Sequence, residues 1–416
     1  SHFNFSVGEI GRLQTLACIP VVAGDSFDLR YDAIFRLSTL RRNLTVDVSL
    51  DKFIFYVPHR HVYGQDWIDF ILQGIDETVT FPTVDLLTQR LEYLGYPELN
   101  GVIPKWLITG YNQIWDRYFR VPTDTTNVLG DTDISGTARQ DMYGRHCARP
   151  KRWWTTGIDA TTVAADREVS TAGNVMDILD LDQVKGRYKT EQLRDFFGQR
   201  YDDLLRSSFG SGVNVDADER PTLIMRKSAF MSGYDVDGTA DATLGQYSGK
   251  AAAQCEMVMP RRFFPEHGTL WVMALLRFPT IHERELHYLV KKSQPTYKEI
   301  SGDYDIWERE PPFALEIQDV FRNNSSSTQI GTVPYGQWYR EHPHTVHATL
   351  ANQQGFTFLA TAPTTIDQVR YTQEGEYDGD FQSLQFAHWQ SQGAFTIRAL
   401  RPIPGPLRSV FAGVGR

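Results

Sequence analysis

The sequence has few cysteines and lacks a long apolar run. Cys18, Cys147 and Cys255 are scattered without the spacing of a metal site. An odd and dispersed set of thiols predicts reduced, structural cysteines rather than a disulfide framework. The longest apolar run, residues 269–278, is about half the length of a membrane-spanning helix, so the sequence predicts no membrane insertion.

An excess of positive charge is also absent, because the net charge is −9 at pH 7. This sign excludes nucleic-acid binding over the whole surface. Any such function needs basic residues concentrated on one face, or charge supplied by another polypeptide. The composition over 416 residues, with 41% hydrophobic residues, 12% aromatic residues and 20 prolines, favours a loop-rich all-β protein with a large core.

The common catalytic motifs are missing as well. The chain has no Gly-x-Ser-x-Gly, Walker, Gly-x-Gly-x-x-Gly or His-Glu-x-x-His motif. His59 and His61 could be half of a cupin-like metal site, but residues 62–66 contain no glutamate. Residues 235–238 have two acids of a calcium loop and lack its glutamate, which favours an Asx-turn, with a divalent ion shared between subunits as the alternative. We therefore expect no enzyme, cofactor or metal site.

Period-2 hydrophobic patterns predict eight strands in three groups. The predicted strands are residues 12–22, 26–37, 44–57 (two strands with a bend near Asp51), 223–230, 254–260, 269–278 and 383–400. This count favours a mainly β fold, an eight-stranded antiparallel jelly roll. We expect one domain, residues 1–416, with core strands at about 10–62, 222–280 and 383–400. Two long, partly helical insertions occupy about 64–221 and 281–382.

Helical periodicity appears inside the first insertion. Pro104 can open a helix whose apolar residues recur every three or four positions up to Phe119. Thr190 is a suitable N-cap for a second helix to residue 208, with a stop at Gly210. Residues 83–94 give a weaker helical pattern.

Three basic segments are candidates for binding nucleic acid. The first combines cations with two indoles and has no acid: Arg145, Arg149, Lys151, Arg152, Trp153 and Trp154. The second is Arg261 with Arg262, and the third is the acid-free tail 398–416, which includes Arg408. Aromatic planes stack on unpaired bases while Arg and Lys contact phosphates, so these segments predict binding to single strands. The alternative for each is a solvated turn or a salt bridge between subunits. Arg41 and Arg42 form a weaker fourth candidate.

Eight collinear blocks resemble the major capsid protein of the Microviridae, the small tailless icosahedral phages with single-stranded DNA. The blocks are PVVAGDSF at 20–27, RLSTLRR at 36–42, FYVPHRHVYGQDW at 55–67, SGYDVDGT at 232–239, LGQYSG at 244–249, RFFPEHG at 262–268, GQWYR at 336–340 and FQSLQ at 381–385. Residues 76–189, 281–335 and the tail from Arg401 match poorly, which indicates a diverged relative.

The resemblance implies a structural protein of the virion that assembles in the host bacterial cytoplasm. It implies a T=1 icosahedral shell of identical copies, with the jelly roll of viral capsids, enclosing circular single-stranded DNA. Implied partners are a pentameric spike protein, a small basic DNA-packaging protein, scaffolding proteins and host lipopolysaccharide. The alternative from another class is a soluble jelly-roll carbohydrate-binding protein or a cupin-like metal-dependent protein, favoured by the many aromatics and the His-x-His pair.

Overall fold

The fold is mainly β, with short helices between the strands. In the computed structural model, the residues described are 2–41, 44, 46–73, 81, 83–86, 92–95, 101–122, 124, 126–130, 143–155, 220–234, 250–282, 285–310, 313–321, 325–346, 359–360, 363–382 and 387–401. The strands are β1 (His2–Gly8), β2 (Gln14–Val21), β3 (Ser26–Leu37), β4 (Val48–Pro58), β5 (Thr83–Leu86), β6 (Gly101–Pro104), β7 (Thr222–Tyr234), β8 (Lys250–Phe263), β9 (Gly268–Arg277), β10 (Ile281–His282), β11 (Phe313–Glu316), β12 (Gln329–Val333), β13 (Leu359–Ala360) and β14 (Trp389–Leu400). The helices are α1 (His59–Tyr63), α2 (Gln65–Gln73), α3 (Trp106–Tyr118), α4 (Tyr288–Lys291), α5 (Tyr297–Ile300), α6 (Tyr304–Arg309), α7 (Ile317–Val320) and α8 (Ile366–Arg370), with 3-10 turns at Glu92–Leu94, Gln337–Tyr339 and Asp378–Asp380. Within these ranges no helix has the length and apolarity needed to span a membrane.

Eight strands form one antiparallel, hydrogen-bonded series in the order β1-β14-β3-β8-β7-β4-β9-β2. We call β1-β14-β3-β8 sheet 1 and β7-β4-β9-β2 sheet 2. Strand β7 joins them, because its first part pairs with β4 and its last three residues pair with β8. The prediction of a mainly β, antiparallel fold is confirmed, and this strand order is consistent with the jelly roll.

The main core lies between the two sheets, and a second core lies on the far side of sheet 2. Strand β3 alternates between buried and exposed side chains, as expected for a strand with one face in the core. Strands β4 and β9 are buried on both faces, because α3 packs against the outer face of sheet 2. Gly110 allows this close approach, since a Cβ there would lie 3.1 Å from the Trp271 ring.

Three strand predictions need correction. Strand β1 precedes every predicted strand, and β4 runs through Asp51 without the predicted bend, so the count of eight was reached through two offsetting errors. Asp51 stays in the strand because Arg226 and Ser228 of β7 bind its carboxylate. Strand β14 begins at Trp389 rather than at residue 383. It runs without a break through the polar residues 390–393.

The predicted helix up to Phe119 is present as α3, whose apolar side chains pack against sheet 2. Its predicted start at Pro104 is wrong, because Pro104 is the last residue of β6 and the helix begins at Trp106. The helix predicted over residues 83–94 is wrong. Residues Thr83–Leu86 pair as β5 with β6, and Glu92–Leu94 form a 3-10 turn. The helix predicted over residues 190–208 lies outside the described residues.

Candidate nucleic-acid interface

The two indoles of the first candidate segment are buried. Trp153 is 8% exposed and Trp154 is 1% exposed. Trp154 meets the ring of Phe321 edge-on, with 5.3 Å between centroids. Both belong to a small core, otherwise formed by residues 315–369, which we call the satellite core: Trp153, Trp154, Leu315, Ile317, Val320, Phe321, Ile330, Val333, Trp338 and Val369. Neither indole therefore presents a face on which a base could stack.

The arginines of the same segment bind carboxylates of the protein itself. Arg152 donates to Glu285 at 2.5 Å and to Glu341 at 2.9 Å. Arg149, buried to 4% side-chain exposure, donates to Glu376 at 2.6 Å. These contacts tie the segment to Glu285 ahead of α4, to Glu341 after the 3-10 turn at Gln337–Tyr339 and to Glu376 after α8, and they leave little of either guanidinium for phosphate.

Glu285 is the carboxylate on which this arrangement depends. Its side chain is 1% exposed, and the indole N–H of Trp154 also donates to it at 3.4 Å. Burial raises its pKa above the ordinary value, and the nearby Arg152 opposes that rise. The pair is thus a desolvated ion pair inside the fold.

The remaining cations of the first segment are placed differently. Lys151 is exposed, and Arg145 is half-buried beside α3, where its backbone N–H donates to the Tyr111 hydroxyl. Binding of nucleic acid by this segment stays a prediction, and its exposed cation is Lys151.

The second and third candidate segments meet at one corner of sheet 1. Phe263 at the end of β8 and Leu400 at the end of β14 are both paired with Ser26 of β3. Arg261 and Arg262 are exposed there. Two strand ends separated by well over one hundred residues therefore bring their basic groups to the same place, which the sequence alone does not reveal.

The start of the tail is fixed at this corner by an ion pair. Arg401 donates to both carboxylate oxygens of Asp25, which is fully buried and also accepts from the Val22 amide. The hydrogen bond from Arg401 is the main cause that lowers the pKa of Asp25 below its ordinary value. Arg408 and Arg42 lie outside the described residues.

We define the basic corner as Arg261, Arg262, Phe263, Arg398 and Arg401. Arg398 is exposed and stands opposite Asp28 in the sheet register. Because Arg401 is matched by Asp25, the corner offers the guanidinium groups of Arg261, Arg262 and Arg398 against the one carboxylate of Asp28. Phe263 is 61% exposed and adds an accessible ring. Cations beside an exposed aromatic ring can bind phosphates and stack a base.

The His-x-His pair lies elsewhere, at the start of α1. The ring of His59 is buried against Trp67, at 4.8 Å between centroids, and near Tyr63 and Trp106. Burial, with a smaller contribution from His267, lowers the pKa of His59 to about 4. Across the ranges that the structure covers, no three His, Cys, Asp or Glu side chains gather into a potential metal site. The acidic loop 235–238 lies outside those ranges.

Comparison with known proteins shows the family to which the sequence belongs. The family model for the capsid protein (F protein) matches residues 1–176 and 161–410. Capsid protein F of Escherichia phage G4 is 38% identical over 408 residues, covering 97% of this chain and 94% of that protein. Capsid protein F of Escherichia phage alpha3 is 37% identical over 412 residues, and that of Enterobacteria phage phiK is 38% identical over 415 residues, each with the same coverage.

Proposed function

The chain belongs to the capsid protein F family, and we propose that it is the major capsid protein of a T=1 icosahedral shell around circular single-stranded DNA. The observation that carries this proposal is similarity over nearly the whole chain to several proteins named capsid protein F. The two-sheet architecture with its covered sheet 2 agrees with it. The carbohydrate-binding or cupin-like alternative has no support among these relatives.

The proposal extends to organisation and partners. The whole chain would act as one jelly-roll domain in the virion, with its two insertions forming contacts between protomers. Its partners would be a pentameric spike protein, a small basic packaging protein, scaffolding proteins in the host cytoplasm, and host lipopolysaccharide during attachment. The large share of chain outside the eight-stranded series supports a role for the insertions, because long insertions in a compact domain usually serve a function.

We place the contact with DNA at the basic corner. Arg261 and Arg262 are exposed and adjacent, whereas Arg149 and Arg152 bind carboxylates of the fold. The genome is single-stranded in the family that this chain resembles, so stacking and phosphate contacts would suffice without reading base pairs.

The double substitution Arg261→Ala/Arg262→Ala tests this placement. We expect weaker binding to single-stranded oligonucleotides of any sequence, with the salt dependence reduced by about 0.7 per lost phosphate contact. Fluorescence anisotropy at several salt concentrations measures both quantities.

The matched control is Arg36→Ala/Lys250→Ala. Both residues are exposed cations at the opposite end of sheet 1, so this variant loses the same charge at a different place. We expect its salt slope to stay close to that of the unmodified protein. Equal salt slopes in both double variants would contradict the placement of DNA at the basic corner. A reduced salt slope in Lys151→Ala would favour the first basic segment as the DNA contact instead.

A further inference from the structure

The edge strand β1 reverses the usual arrangement of polar and apolar side chains. Phe3, Phe5 and Val7 point outward and are 77%, 72% and 41% exposed. The inward side chains are polar, and Asn4 donates from its amide to the Leu16 carbonyl of β2. A strand at the edge of a β-sandwich normally buries its apolar side chains and exposes its polar ones. The outward face of β1 is thus built for contact with something other than the core of its own protomer.

The position of β1 does not depend on these outward rings. The exposed ring of His2 stacks on Phe395 at 5.0 Å, and the buried rings of Phe395 and Tyr31 stack at 4.2 Å. At the other end of the strand, Gly8 lies directly against the Trp389 indole, where a Cβ would come within 2.3 Å. Outward substitutions on β1 should therefore leave the fold intact.

On the same face of sheet 1, the exposed Gln390 and Gln392 of β14 lie between β1 and two further exposed apolar side chains. Ile34 of β3 and Val258 of β8 are 41% and 46% exposed on the same face. Phe3 and Phe5 alone leave roughly 300 Å² of ring surface exposed, which is near the size of the largest apolar patch on a typical monomer. The opposite side of the sandwich, the outer face of sheet 2, is already covered by α3.

The charges on this face argue for a protein partner. Arg30 binds Asp32 at 2.8 Å and Glu256 at 3.2 Å. From Arg30 to Arg36 of β3, the rows of this face beside β1 hold two cations, Arg30 and Arg36, and two carboxylates, Asp32 and Glu256. The exposed Lys250 lies beyond these rows. A DNA backbone requires an excess of cations, whereas a neutral face with central aromatics and a polar rim is typical of protein interfaces.

We propose that the outer face of sheet 1, centred on Phe3 and Phe5, is a contact surface for a second copy of this chain. The inference rests on the proposed shell function, because a shell built from one protein brings its copies together at high local concentration. A stable contact buries about 800 Å² on each partner. The two phenylalanines would supply more than a third of that area, and a few large side chains typically carry most of the binding energy of an interface.

The test compares Phe3→Ser/Phe5→Ser with Phe230→Ser in the full-length protein. Phe230 is the matched control, because it is 73% exposed and lies on β7 rather than in this patch. Sedimentation velocity over a concentration series measures self-association. Circular dichroism and thermal unfolding establish that each variant is folded.

We expect the unmodified protein to self-associate, and the double variant to need at least tenfold higher concentration for the same degree of association. The control should associate like the unmodified protein. An unmodified protein that stays monomeric at its highest soluble concentration would overturn the inference, and so would a control that loses association equally.

Binding to a single-stranded oligonucleotide, measured on the same samples, separates this inference from the proposed function. Retained DNA binding with weakened association supports the contact surface. Lost DNA binding with unchanged association would show that Phe3 and Phe5 stack on bases, which overturns the contact. Failure of the basic-corner variants, in contrast, bears on the placement of DNA alone.

Discussion

Replacing Arg152 by alanine should destabilise the fold strongly. The substitution removes the partner of Glu285, whose side chain is 1% exposed and so cannot be solvated by water instead. Removing one member of a buried ion pair typically costs about 3–5 kcal/mol, because the other charge stays buried and uncompensated. We expect a loss in this range in the free energy of unfolding. The exposed neighbour Lys151 is the control, and Lys151→Ala should change stability by less than about 0.5 kcal/mol.

A second substitution should rescue part of this loss. In Arg152→Ala/Glu285→Gln no charge remains buried, so the double variant should be more stable than Arg152→Ala alone. Lowering the pH should also recover part of the stability that Arg152→Ala loses. Burial raises the pKa of Glu285, so the folded protein takes up this proton at a higher pH than the unfolded chain does. Without Arg152 to oppose that rise, the deficit of Arg152→Ala should shrink as the pH falls.

Urea unfolding followed by tryptophan fluorescence measures these differences, because Trp154 packs beside the pair. If the Arg152→Ala variant were as stable as the unmodified protein, the buried-pair argument would be refuted. The argument would also fail if the double variant were no more stable than the single one. Loss of oligonucleotide binding in a stably folded Arg152→Ala would return the first basic segment to the DNA interface.

Two further predictions concern α1 and α3. Because the pKa of His59 falls from 6.5 to about 4 on folding, the unfolded chain takes up this proton first as the pH decreases. Stability should therefore drop by up to about 3 kcal/mol between pH ~6.5 and ~4, and His59→Gln should flatten this part of the pH profile in urea titrations. Gly110→Leu should cost about 1–3 kcal/mol by forcing α3 away from Trp271. Gly379→Leu is its control, since no atom lies within 4 Å of a Cβ at that position, and equal losses in both would contradict the packing argument.

Periodicity predicted most of the sheet because burial on one face leaves a local pattern. Strand β3 was predicted at its observed bounds, since its side chains alternate along its length. Residues 44–57 were divided in two because the run is long enough for two strands with a bend near Asp51. Asp51 is in fact buried within one strand, and it is bound by Arg226, which is 175 residues away in the sequence. A local pattern cannot show a partner at that distance.

The same limit applies to the candidate site. Cations next to two tryptophans without a local acid indicate either a surface for single strands or a buried ion pair beside indoles. The difference depends on carboxylates far along the chain: Glu285 and Glu341 lie 133 and 189 residues from Arg152, and Glu376 lies 227 residues from Arg149. The convergence of β8 and β14 at the basic corner also depends on pairing through β3.

Burial of arginine changes how the net charge of −9 bears on packaging. Each buried pair removes one cation and one carboxylate from the surface, so the net charge is unchanged while the surface loses basic groups. Such pairs join Arg12 to Glu9, Arg149 to Glu376, Arg152 to Glu285 and Arg370 to Asp124. The surface is consequently poorer in cations, relative to carboxylates, than the composition indicates. Because phosphate binding needs a local excess of cations, the proposed contact with DNA is expected at sites such as the basic corner, and the proposed basic packaging protein would supply charge for the rest of the genome.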